Sequence, residues 1–197
     1  MLRCLDAMIA WAECVSRWLA RAAGALLLLM VVLIVTEILM RRLLGGGLGL
    51  SFEYSGYVLG IAASWSFAYA VFHKAHIRID AAYVRLGTRG RQALDLLAMG
   101  CLAAFAVFAA QAALGVFTES LARGAVSNTP LHTPMWIPQL LWVGGWLWFA
   151  FTVVLLMLRV VVAALAGDAE TLRRLAGGST IDEQIEEEAP GAEGLGS

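Results

Sequence analysis

The chain has 197 residues, of which 60% are apolar and only 15% charged, with a mean hydropathy of +0.77. Soluble domains carry about 45–50% apolar residues, so this composition excludes an ordinary soluble domain and indicates a membrane protein. Net charge is −1, but Asp182, Glu183, Glu186, Glu187, Glu188 and Glu193 fall in the last sixteen residues without a base, which leaves the body at about +5.

The N-terminal segment has acids and tryptophans where a secretion signal needs a clean basic stretch and a short apolar core, so it is expected to be retained. Over residues 2–16, Leu2, Leu5, Met8, Ile9, Ala12 and Val15 recur at spacings of three and four, with Arg3, Asp6 and Glu13 off that face. Segment 1–17 therefore reads as an amphipathic helix lying in the membrane plane; the alternative is a cytoplasmic extension of the first span. The membrane domain, 18–166, holds four apolar stretches at about 19–39, 52–72, 94–117 and 137–164. Each meets the requirement of roughly 20 apolar residues for a helix crossing about 30 Å of hydrocarbon. Between them lie "GGGLGL", a basic loop, and "SNTPLHTPMWIP". Backbone groups in lipid must be satisfied internally, so each stretch is read as a helix. From 177 to 197, glycine and acids dominate and disorder is expected. The predicted fold is an all-α integral membrane protein with four transmembrane helices, an N-terminal interfacial helix and a disordered acidic tail.

Lys and Arg near the span ends set the orientation. Arg3, Arg17, Arg21, Lys74, Arg78, Arg85, Arg89, Arg91, Arg159, Arg173 and Arg174 lie on one side; only Arg41, Arg42 and Arg123 lie on the other. Both termini are thus expected in the cytoplasm, with the glycine-rich and proline-bearing loops outside, which in a bacterium is the periplasm.

Polar groups inside spans are costly and are candidates for function. Glu37 precedes Arg41 by four residues and shares its helix face. Glu53 opens the second span, where the helix dipole favours a carboxylate. Arg41 or Arg42 pairing with Glu53 across "LLGGGLGLS" would lock the two helices; alternatively both arginines snorkel to the headgroups.

His73, His76 and His132 all fall outside the spans, where they cannot serve as axial haem ligands in a bundle core. In "HKAHIRID", residues 73–80, the spacing of His73, His76 and Asp80 allows a metal site, but Lys74 and Arg78 would repel a cation. The same bases suit an anionic headgroup surface, and Asp80 can cap a following helix. Cys4, Cys14 and Cys101 have neither disulfide nor zinc spacing. No nucleotide loop or nucleophile elbow is present, so no catalytic residue, cofactor or nucleic-acid partner is expected. Trp142, Trp146 and Trp148 suit interface anchoring or packing against a partner membrane protein. The third span carries only Asp95 and Gln111 and the fourth no acid, a poor complement for a self-sufficient transporter.

The ordered combination of Arg41 or Arg42 ending the first span, Glu53 opening the second, His76, Arg78 and Asp80 after it, and Pro134, Met135 and Trp136 before the fourth resembles the DctQ-like small subunits of tripartite ATP-independent periplasmic (TRAP) transporters. The similarity covers about residues 16–165; Phe52 stands where the family often has tryptophan, and the acidic tail lies beyond it. The resemblance implies a large permease subunit and a periplasmic substrate-binding protein as partners, besides membrane lipids, and sodium-driven import of an organic acid. It also implies that the large subunit holds the substrate and ion sites, while the small one is a fixed brace. Arg42, Arg123 and residues 127–138 would then meet the binding protein. The competing reading is a membrane anchor or assembly subunit of a respiratory or other enzyme complex.

Overall fold

A computed structural model of the chain describes residues 2–44, 49–73, 87–129, 131–168 and 171. His76, Arg78 and Asp80, with most of "HKAHIRID", the glycine turn at 45–48 and the tail at 177–197 lie outside the described residues. Among the described residues four helices are present: α1 (Leu2–Leu44), α2 (Leu50–Phe72), α3 (Thr88–Ala122) and α4 (Trp136–Ala166). All four are long and apolar enough to cross a membrane. Among the described residues the only β feature is an isolated bridge between Val126 and Pro134.

The helices outrun the spans read from hydropathy, which registers the hydrocarbon-crossing part alone. At 1.5 Å per residue, α1 measures about 65 Å, twice the hydrocarbon thickness of about 30 Å. Residues 2–16 are not a separate helix but the opening turns of α1, which runs on without a break at residue 17. A single inward stripe explains this continuity. Ser16, Ala23, Met30 and Glu37, each seven residues from the next, are all buried, and Ala12 extends the row. A seven-residue repeat keeps one face of a helix turned to one neighbour over a long distance. All of the stripe but Met30 is polar or small, so apolar periodicity alone does not reveal it.

The helices form an open array in the order α1, α2, α4, α3. α1 packs along α2, α2 along α4 and α4 along α3, with a smaller contact between α1 and α4. α4 is the central element and buries far more of itself than α1 does. Its Phe149, Val153, Leu156, Val160 and Ala163 join Val71 of α2 and Met99, Ala106 and Ala110 of α3 in the main core. Met99, Ala106 and Ala113 again mark a seven-residue stripe on an outer helix.

Close approach at the α2–α4 crossing requires Gly145. A β-carbon there would stand 2.8 Å from the backbone carbonyl carbon of Ser64 and would also meet the Ser64 hydroxyl. Without a hydrophobic force between helices in lipid, such small-residue contacts let backbones come near enough to gain dispersion energy. Trp65, Trp146 and Trp148 take part in this packing. Trp146 stacks with Phe67 and Phe149 at 5.0 and 6.0 Å, and Trp148 donates its indole N–H to Ser16 Oγ at 3.0 Å. Trp65 donates to the Leu141 carbonyl at 2.9 Å.

Candidate functional site at the loop-bearing end

Two carboxylates, Glu37 and Glu53, are only 5% and 6% exposed at the end of the array where α1 passes to α2 and α3 to α4. Glu37 sits in α1, yet its main role is at the start of α2. Its Oε1 accepts the Gly49 backbone N–H at 2.9 Å and its Oε2 accepts that of Ser51 at 2.9 Å. The first N–H groups of a helix have no partner within it. Gly49, at φ 68, supplies no side-chain cap of its own, and a carboxylate from the preceding helix takes its place. Glycine at this left-handed position avoids the clash a β-carbon would bring.

Arg41 donates to the same Glu37 oxygen at 3.1 Å, as the four-residue spacing predicts. The Arg41 side chain is 68% exposed, so the pair is a rim contact on a buried acid. Among the described residues the ion pair of Arg41 is with Glu37, and neither Arg41 nor Arg42 pairs with Glu53. Arg42 is exposed.

Glu53, in the first turn of α2, instead holds the loop that leads into α4. Tyr57, one turn on, donates its hydroxyl to Glu53 Oε1 at 3.0 Å, and Met135 Sδ lies 3.3 Å from that Tyr57 hydroxyl. Thr129 Oγ1 donates to Glu53 Oε2. Ser127 Oγ stands 2.7 Å from Thr129 Oγ1 and accepts the Thr133 backbone N–H at 3.1 Å. Since the carboxylate accepts, the protons run in one direction, from the Thr133 amide through Ser127 and Thr129 to Glu53. A chain of this kind polarises along its length and is stronger than its separate bonds.

Backbone bonds close the same loop. Ser127 N–H reaches Thr133 O and Met135 N–H reaches Ala125 O, each at 2.9 Å. His132 takes the left-handed conformation at φ 47, its N–H on Thr129 O at 3.1 Å. Pro134 forms the bridge with Val126, Met135 precedes the helix and Trp136 opens α4, half-exposed. Arg123 ends α3 and pairs with Glu119 at 2.5 Å, with 74% of its side chain exposed. Thr129, Ser127, Thr133 and Tyr57 escape a reading that looks for charge. The available signal is the Ser/Thr/Pro-rich run "SNTPLHTP" itself, whose hydroxyls need acceptors.

The structure thus brings Glu37 with Arg41, and Glu53 with the loop that precedes Trp136, at one end of the array. His73 lies at the opposite end of α2, its ring nitrogen 3.1 Å from Tyr69 O. Among the described residues no three His, Cys, Asp or Glu side chains converge. The arrangement stitches helix ends and a loop together at one end of the array.

Comparison with known families matches residues 30–166 to the family described as tripartite ATP-independent periplasmic transporters, DctQ component. Comparisons with curated proteins and with solved structures gave no match. The matched stretch is well over half of the chain and takes in Glu37, Glu53, the 123–135 loop and all of α4. The chain therefore belongs to the DctQ family: it is the small permease subunit of a TRAP transporter, a multi-pass protein of the bacterial inner membrane and a transport component rather than an enzyme.

Proposed function

We propose that this subunit braces the large permease subunit and helps dock the periplasmic substrate-binding protein while an organic acid is imported on an ion gradient, with sodium as the coupling ion. One observation carries the reading. Every buried acid of the described spans, Glu37, Glu53 and Asp95, is already engaged by protein groups. An ion pathway needs polar groups that exchange partners; here they hold helix ends. Gly24, Gly56, Gly115 and Gly144, with nothing within 4 Å of a β-carbon, offer points of close approach to the large subunit.

In this reading both termini are cytoplasmic and the 123–135 loop is periplasmic, as the Lys and Arg distribution supports. The loop's exposed Arg123, Leu131, His132 and Trp136 form the docking rim together with Arg42. Rim charges act chiefly on encounter rate and specificity. In proteoliposomes holding both membrane subunits, Arg123→Glu raises several-fold the binding-protein concentration needed for half-maximal uptake, while the subunits still co-purify. An unchanged half-maximal concentration refutes the docking role. In a cysteine-free background, a membrane-impermeant thiol reagent applied to intact spheroplasts labels a cysteine placed at Leu131 and spares one at Thr88. The reverse pattern refutes the orientation.

A further inference from the structure

At the end of the array opposite the loop, a cleft of about 360 Å3 opens between the first turns of α1, the last turn of α2 and the last turns of α4. Asp6, Ile9, Glu13, Phe72, Arg159 and Thr171 line it. None of these residues takes part in the carboxylate and loop constellation. Asp6, Ile9 and Glu13 also precede the family-matched stretch, so family membership implies nothing about them.

Arg159 is the centre of the cleft. Its side chain is 10% exposed, and Nε donates to Asp6 Oδ1 at 2.7 Å. A guanidinium carries five N–H donors in a planar fork. The four on its Nη atoms have no acceptor among the described residues. Open to the cleft, a guanidinium fork matches the oxygens of a phosphate. Beside it stand two carboxylates, Asp6 at 54% and Glu13 at 39% side-chain exposure. Glu13 keeps an exposed pair with Arg17 at 3.2 Å. Ile9 and Phe72 complete an apolar wall continuous with the main core. α2 and α4 both end close by, so the cleft lies at the level where a bilayer's headgroups begin.

We propose that this cleft binds phosphatidylethanolamine: the phosphate on the Arg159 guanidinium, the primary ammonium on Asp6 and Glu13, and the glycerol end of the chains along Ile9 and Phe72. The chemistry selects among lipids. Phosphatidylglycerol would bring its negative charge beside two carboxylates with no headgroup ammonium to offset it. Phosphatidylcholine has a cation that donates no hydrogen bond. The buried guanidinium answers the phosphate, and only the ethanolamine headgroup answers the carboxylates as well.

The full-length subunit, purified in a mild detergent, is titrated with each of the three lipids and read by native mass spectrometry. Phosphatidylethanolamine is expected to occupy one site about tenfold more strongly than either competitor, the size of one charge-assisted hydrogen bond. Glu13→Gln, a change at a half-exposed position, leaves thermal stability unaltered and erases most of that preference; Arg159→Gln lowers binding of all three lipids. Equal occupancy by phosphatidylethanolamine and phosphatidylglycerol overturns the proposal, as does an unchanged preference in Glu13→Gln. Glycerophosphoethanolamine or inorganic phosphate competing as well as the intact lipid also overturns it, by making the cleft a site for a soluble anion.

Discussion

Adding one methyl group at Gly145 tests the α2–α4 crossing, on which the array depends. The new β-carbon would stand 2.7 Å from Ser64 Cβ and 2.8 Å from its backbone carbonyl carbon, whereas carbon atoms pack at about 3.5–4.0 Å. The two helices must separate by nearly 1 Å, since the obstruction includes backbone and cannot rotate away. A gap of 0.5–1 Å forfeits about a quarter to a half of the dispersion well for each contact it opens. Overpacking of this kind costs about 1–3 kcal/mol. The replacement also gains up to about 1 kcal/mol of intrinsic helix propensity, which masks part of the loss. Gly144 supplies the control, with the same helix, the same substitution and nothing within 4 Å of its β-carbon. Gly145→Ala should therefore unfold below Gly144→Ala by about 2–10 °C in a thermal scan of the detergent-solubilised chain. Ser64→Gly should recover part of the difference, as it removes Ser64 Cβ but not the backbone carbon. Equal melting temperatures for the two glycine variants would refute the crossing geometry.

Other changes separate the two carboxylates. Glu37→Gln should speed amide exchange at the start of α2, at Gly49 or Ser51, because one of the two oxygens that each accept a backbone N–H becomes a donor facing it. Arg41→Ala should leave those amides nearly unchanged, since its exposed guanidinium only borders the cap; equal exchange in both variants contradicts the capping role. Thr129→Val keeps the shape of the side chain but removes the hydroxyl that links Ser127 to Glu53, so amides at Ser127 and Thr133 should exchange faster while those of α3 do not. Trp148→Phe removes the indole donor to Ser16 Oγ and should cost about 1 kcal/mol of stability, read by chemical unfolding in detergent.

Hydropathy and length were sufficient for the four helices, because roughly 20 apolar residues in lipid have one backbone solution. They could not show that α1 is a single rod. Its inward stripe of Ser16, Ala23, Met30 and Glu37 carries little apolar signal, whereas the residues facing outward, such as Leu28 and Val32, carry much of it. In a membrane, apolar residues mark contact with lipid as readily as contact with protein, and an amphipathic reading of residues 2–16 inherits that ambiguity. The Glu37–Arg41 pair was legible from its four-residue spacing. The cap on α2 was not, since it joins Glu37 to backbone amides twelve and fourteen residues on through a turn with no side-chain signature. Likewise, Glu53 could be picked out as a carboxylate opening a span, but its partner Thr129 lies 76 residues away and is neutral. Charge invites a search for opposite charge; here hydroxyls and amides met the need.

In the proposed function the chain works as the fixed small subunit of a three-part transporter. The most direct test of this role is the composition and mass of the complex isolated on an affinity-tagged copy of the full chain from its own membranes, with uptake measured after reconstitution. One large multi-span permease is expected to be bound in equal amount, with uptake only when both membrane subunits and the periplasmic binding protein are present. Uptake by the large subunit and binding protein without this chain, or a tagged chain that carries haem- or quinone-dependent enzyme subunits in place of a permease, would contradict it.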